Sequence, residues 1–169
     1  MTANRSAGMR KKMLIAIDGS NGALRALDYV GDHFSEVRDL QITLFLVLQG
    51  VPPDLWDDGH ILSEAEKKDR RTVLDKLIVD QNLKAEPIFR TALEALSRKG
   101  INSGGIEKKV VHESNVSVAE CILTEARTGG YQTLVMGRCG RSASAHFLLG
   151  STASKVINHG AGIAICVVA

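Results

Sequence analysis

The sequence predicts an α/β fold, a single domain in which one five-stranded parallel sheet carries helices on both faces. Three observations predict it. Short apolar runs alternate with helix-period segments from Met13 to the C-terminus, giving five strands and at least four helices. The runs are continuously apolar rather than alternating, as in strands buried on both sides. Helical segments separate the runs, so crossovers rather than hairpins join the strands. At 169 residues, 44% of them apolar and 24% charged, the chain fits one domain of ordinary size.

The first strand is Met13 to Ile17, closed by Asp18-Gly19-Ser20-Asn21-Gly22. A helix follows, with Ala23, Leu24, Ala26, Leu27 and Val30 at helical spacing, Ser20 or Asn21 as its cap and Gly31 near its end. Gln41 to Leu48 forms the second strand, and Gly50-Val51-Pro52-Pro53 breaks the chain after it. From Glu64 onward Val73, Leu74, Leu77 and Ile78 mark an amphipathic helix, and Ile88, Phe89, Ala92, Leu93 and Leu96 repeat the spacing. Pro87 disfavours helical geometry at Glu86, so two helical pieces with a break there are preferred to one kinked helix, and Gly100 closes the second. Ile106 to His112 is the third strand, Val116 to Thr128 the next helix, and Gly129-Gly130 its end. The last strand lies in Gly162 to Val168.

Between these stands the stretch Tyr131 to Ile157. A strand ends at Met136, Gly137-Arg138-Cys139-Gly140 follows, and nine residues later Gly150-Ser151-Thr152 opens a helix. Glycines let backbone N–H groups approach a ligand closely, and a helix N-terminus offers unpaired N–H groups and the positive end of its dipole to an anion. Taken singly, Gly137 and Gly140 fit an ordinary strand-to-loop turn, and Gly150-Ser151 an ordinary cap. Asp18 likewise fits either a turn carboxylate bonded to its own backbone or a ligand contact, since strand ends of open α/β sheets are where ligands lie.

Jointly, Gly-x2-Gly-x9-Gly-Ser-Thr resembles the nucleotide-binding signature of the universal stress protein family. Lys12 to Ser20 is similar to that family's first strand with its Asp-x-Ser ending, and Ala119 to Ala126 with Leu134 to Gly137 resembles its helix and strand before the loop. The resemblance spans residues 11 to 168. It implies the adenine-nucleotide alpha-hydrolase-like fold with strand order 3-2-1-4-5, residues 1–11 as a loose tail and 12–169 as the nucleotide-binding domain. It further implies that Asp18 contacts the nucleoside and that Val47 gives its backbone to the adenine edge. Met136 would line the nucleotide site, and Gly137, Arg138, Gly140, Gly150, Ser151 and Thr152 would hold the phosphates of ATP or a close adenine nucleotide, with or without Mg²⁺. Three positions depart from the family pattern. Glu113-Ser114-Asn115-Val116 replaces a Gly-x-Pro turn, Gln132-Thr133 stands where an aspartate is usual, and Ala161-Gly162-Ile163 replaces a Cys-Pro.

Other function classes are excluded on composition and motif. The net charge of +2 and aromatic content of 4% argue against nucleic-acid binding. No window approaches the ~20 apolar residues of a membrane span, no signal segment follows the basic N-terminus, and Cys121, Cys139 and Cys166 have no metal-ligand spacing, which together point to the cytoplasm. Asp57, Asp58 and His60 beside Trp56 read as solvated loop residues rather than a metal site. Neither Gly-x4-Gly-Lys-Ser/Thr nor Gly-x-Gly-x-x-Gly is present, and no Gly-x-Ser-x-Gly elbow activates Ser151 or Thr152 through His146 or His159. Cys139 reads as a spectator loop cysteine. With Arg138 and Arg141 the only charges near the loop, the chain reads as a binder that uses nucleotide as ligand or switch. A slow ATP hydrolase and a homodimeric interaction module paired through the C-terminal strand are the alternatives.

Overall fold

A computed structural model describes residues 11–48, 50, 63–113, 116–141, 149–160 and 162–169. The Trp56 cluster, the Pro52-Pro53 break, residues 1–10 of the expected tail and His146 lie outside the described residues. Five strands, β1 (Lys11–Ile17), β2 (Leu40–Leu48), β3 (Ile106–His112), β4 (Thr133–Gly137) and β5 (Ala164–Val168), form one all-parallel sheet in the order β3-β2-β1-β4-β5. Four helices accompany them: α1 (Asn21–Phe34), α2 (Glu64–Arg98), α3 (Val118–Thr128) and α4 (Ser151–His159).

The core is double. Ile42, Leu44 and Leu46 of β2 face α1 and α2, while Phe45 faces α3 and α4, so the unbroken apolar run of β2 serves two hydrophobic layers at once. Val30 and Leu27 of α1 and Phe89 and Leu96 of α2 fill the first layer; Ile122 of α3 and Val156 of α4 fill the second. On the second face Lys109 pairs with the buried Glu125 at 2.6 Å, and the Tyr131 hydroxyl donates to the same carboxylate at 3.0 Å. This network fixes the C-terminal half of α3 against β3 and the start of β4.

The expected break at Pro87 does not occur. A single 35-residue helix runs from Glu64 to Arg98 with Pro87 inside it. Proline withdraws one N–H and disturbs the carbonyl four residues earlier, but that residue, Leu83, is 69% exposed, so water can satisfy the carbonyl. Burial of Ala85 before Pro87 and of Phe89, Ala92 and Leu96 after it, all on one helix face, then holds the turns around it in helical register. The C-terminal stop lies where the sequence puts it, since Gly100 adopts φ +86°. Among the described residues no helix is long and apolar enough to cross a membrane.

Candidate functional site

The strand order makes the chain leave β1 toward β2 on one side and β4 on the other, so a crevice opens at the carboxyl edge between the two directions. A cavity of about 790 Å³ occupies it. Asp18, Val47, Met136, Gly137, Arg138, Gly140, Gly150, Ser151 and Thr152, taken from four separate places in the chain, all line this one cavity.

Asp18 is the hinge between two of those places. Its Oδ1 accepts the Ser20 N–H at 2.9 Å, which turns the chain into α1, and its Oδ2 accepts the Arg141 N–H at 3.0 Å from the far loop. Ser20 caps α1 through its hydroxyl, which accepts the Ala23 N–H at 3.2 Å. The turn reading of Asp18 holds, since the side chain bonds the backbone two residues on, and the same side chain lines the cavity.

The glycine loop is held by contacts that only glycine permits. A Cβ on Gly137 would lie 2.9 Å from the Gly22 Cα, and one on Gly140 would lie 2.7 Å from Asp18 Oδ2. Gly150 donates its N–H to the Arg138 carbonyl at 3.0 Å, and Arg138 donates its own to the Val168 carbonyl at 2.7 Å. Gly137 thus packs against the first turn of α1 besides lining the cavity. The N-cap of α4 is Gly150, and no side chain caps it. Its first residues, Ser151 and Thr152, line the cavity, and the free N–H groups of a helix start are a setting that favours an anion.

Ladder parity decides what Val47 offers. Glu113 donates its N–H to the Leu48 carbonyl at 2.8 Å, so Leu48 directs its polar groups at β3 and Val47 directs its own at β1. The β1–β2 ladder ends at Ile17 opposite Leu46, and no backbone N–H continues it to the Val47 carbonyl among the described residues. That carbonyl is an acceptor at the cavity edge.

Sequence reasoning did not place Ser20, Glu113, Val118 or Ile122 in the site, yet all four line the cavity. Val118 and Ile122 are one helical turn apart on α3 and form an apolar wall. Glu113 carries the same signal as Asp18, a carboxylate directly after an apolar strand. It lies near Cys121: burial first, then the Glu113 and Glu120 carboxylates, push the Cys121 thiol above its usual range. Among the described residues no group of three or more His, Cys, Asp or Glu is arranged to hold a metal ion.

The sequence pattern that describes the Universal stress protein family matches residues 9–161, which takes in β1, the glycine loop and α4 together. The chain belongs to the universal stress protein family. Solved structures carry the same fold at low identity. The hypothetical protein MJ0577 is 22% identical with a TM-score of 0.68, over 95% of this chain and 96% of its own. A universal stress protein in complex with cAMP is 18% identical with a TM-score of 0.59, over 94% and 96%. The universal stress protein from Archaeoglobus fulgidus in complex with dAMP is 14% identical with a TM-score of 0.59, over 95% and 100%. No curated protein sequence matches this universal stress protein.

Proposed function

We propose that this universal stress protein binds ATP or a close adenine nucleotide, with the phosphates over the Gly137–Gly140 loop and the α4 N-terminus and the adenosine toward Asp18 and Val47. The observation that carries the reading is the gathering in one cavity, at the strand-order reversal, of an uncapped helix N-terminus, a glycine loop and a Val47 carbonyl that no backbone N–H among the described residues reaches. Complexes of two proteins of the same fold with cAMP and dAMP support the choice of an adenine nucleotide. Mg²⁺ would accompany the phosphates through their own oxygens, since it keeps most of its water and needs few protein ligands.

The nucleotide acts here as ligand or switch in a stress response rather than as a rapidly consumed substrate. Backbone N–H groups hold ground state and transition state alike unless further charge is aimed at the transferred phosphoryl group. Among the described residues Arg138 and Arg141 are the cations at the cavity. The protein works in the cytoplasm as a homodimer paired through β5, a sheet edge whose Ile165 to Val168 are half-buried in the single chain.

Calorimetry with ATP, and mass spectrometry of nucleotide released from the purified protein, test the reading. Binding with slow or no turnover is expected. No binding of any adenine nucleotide would overturn it, and turnover of about 1 s⁻¹ or faster would replace the ligand with a substrate. Sedimentation as an 18.2 kDa monomer across micromolar concentrations would remove the dimer.

A further inference from the structure

The cavity is electrically divided. Four charged side chains among the described residues line it: Arg138 and Arg141 on the β4 side, Asp18 at the end of β1, and Glu113 at the end of β3. With strands about 4.8 Å apart, β3 lies roughly 14 Å from β4. The two carboxylates are not equivalent. Asp18 is occupied by the Ser20 and Arg141 N–H groups, whereas among the described residues no N–H or O–H donates to the Glu113 side chain. Glu113 is also well positioned, because its N–H is bonded to the Leu48 carbonyl at 2.8 Å, next to Val47 in the chain. Two acceptors, the Val47 carbonyl at the end of β2 and the Glu113 carboxylate at the end of β3, therefore line the cavity on the side of the sheet away from the β4 loop.

An ionised carboxylate and a backbone carbonyl accept and do not donate. An exocyclic amino group has two hydrogens and can serve both. An oxo group in the same place meets lone pairs, and whichever way a 6-oxo purine is set, its O6 faces one member of the pair. We propose that Glu113, together with the Val47 carbonyl, is a specificity determinant that selects a 6-amino purine over a 6-oxo purine at the base end of the cavity. The inference rests on the nucleotide reading above and adds to it a residue and a direction of discrimination.

The test is calorimetry of ATP and ITP with the wild-type protein, Glu113→Gln and Glu113→Ala. The wild type should prefer ATP by roughly tenfold to a hundredfold, the usual cost of an acceptor that a bound base covers and leaves without a donor. Glu113→Gln, whose amide can donate to O6, should cut that preference about tenfold, mainly by tightening ITP. Glu113→Ala should weaken ATP more than ITP. If a variant does not fold, N6,N6-dimethyl-ATP, which has no amino hydrogen, should bind the wild type as poorly as ITP. ATP and ITP within about threefold of each other, a preference that survives in Glu113→Gln, an equal loss of both nucleotides in Glu113→Ala, or undiminished binding of the dimethyl analogue would each overturn the inference and leave nucleotide binding intact. Failure of the wild type to bind either nucleotide would overturn the nucleotide reading and this inference with it.

Discussion

The Asp18 carboxylate accepts the Arg141 backbone N–H at 3.0 Å across 123 residues of chain, so the first strand end holds the last turn of the glycine loop directly. Its other oxygen is committed to Ser20 N–H at 2.9 Å. Both ends of the cavity floor therefore depend on one side chain. In Asp18→Asn the amide can accept one of these N–H groups but presents its own N–H₂ to the other. A hydrogen bond to a charged group contributes about 1.5–3 kcal/mol, and loss of the Arg141 bond frees the loop. Nucleotide affinity should fall at least tenfold by calorimetry, with protection of the Arg141 amide from hydrogen exchange lost in parallel. Unchanged exchange at Arg141 would mean that the loop is held elsewhere.

Gly22→Ala should reverse the usual helix-propensity gain. Gly22 is in the first turn of α1, where alanine is ordinarily better than glycine by about 1 kcal/mol. Here the added Cβ would clash with the Cys139 carbonyl, a backbone atom of the opposing loop that has little room to yield. Overpacking of this kind costs about 1–3 kcal/mol, which for a domain of this size lowers Tm by roughly 3–9 °C in thermal denaturation. A rise in Tm would show that the loop moves freely away from α1.

That contact also marks what the sequence could not disclose. The alternation of continuous apolar strands with helical segments made the sheet legible, because β2 must satisfy a layer on each side and so cannot alternate. The spacing from Gly137 to Thr152 pointed to the cavity because close backbone approach and helix termini leave compositional marks. The reason for Gly137 was only half visible: its backbone packs against Gly22, 115 positions away, and no local pattern records a contact between distant backbones. Pro87 misled for the opposite reason. Its local penalty is real, but the burial of Phe89 and Leu96 and the exposure of Leu83 decide whether the helix continues, and those are tertiary facts. Glu113 escaped notice because a carboxylate after a strand looks the same whether it faces water or a cavity.

The start of α3 should weaken in acid through a single carboxylate. Glu120 closes a capping box, accepting the Ser117 N–H at 2.7 Å and the Ser117 hydroxyl at 2.8 Å, and these bonds hold its carboxyl below the usual carboxylate range. A carboxyl whose folded value is depressed contributes stability that is present above its unfolded value, about 4.5, and is lost as pH falls through the lower folded value. Glu120→Gln keeps the geometry without the charge. Its stability relative to the wild type should be lower at pH 6 and converge with it near pH 3, measured by urea denaturation across that range. A constant difference would show that Glu120 does not titrate differently on folding.

The hydroxyls of Ser151 and Thr152 serve no visible purpose in holding α4 together. The cap of this helix is Gly150, with no side-chain cap bond, and the helix is fastened instead by Ala153 and Val156 in the second core layer. Ser151 is exposed and both residues line the cavity. Removing a cap hydroxyl ordinarily destabilises a helix by about 1 kcal/mol, but among the described residues neither hydroxyl caps the helix, so Ser151→Ala with Thr152→Ala should change stability by less than about 0.5 kcal/mol, as for an ordinary surface change. If the two hydroxyls donate to phosphate, the same double change removes bonds to a charged acceptor and should weaken ATP about tenfold to a hundredfold. Adenosine, which brings no phosphate to α4, should bind wild type and variant alike. Calorimetry of both ligands therefore separates a phosphate contact from a general loss of the cavity. Equal loss of adenosine and ATP would move these residues away from the phosphates, and no loss of either would leave the backbone N–H groups of α4 as the sole donors there.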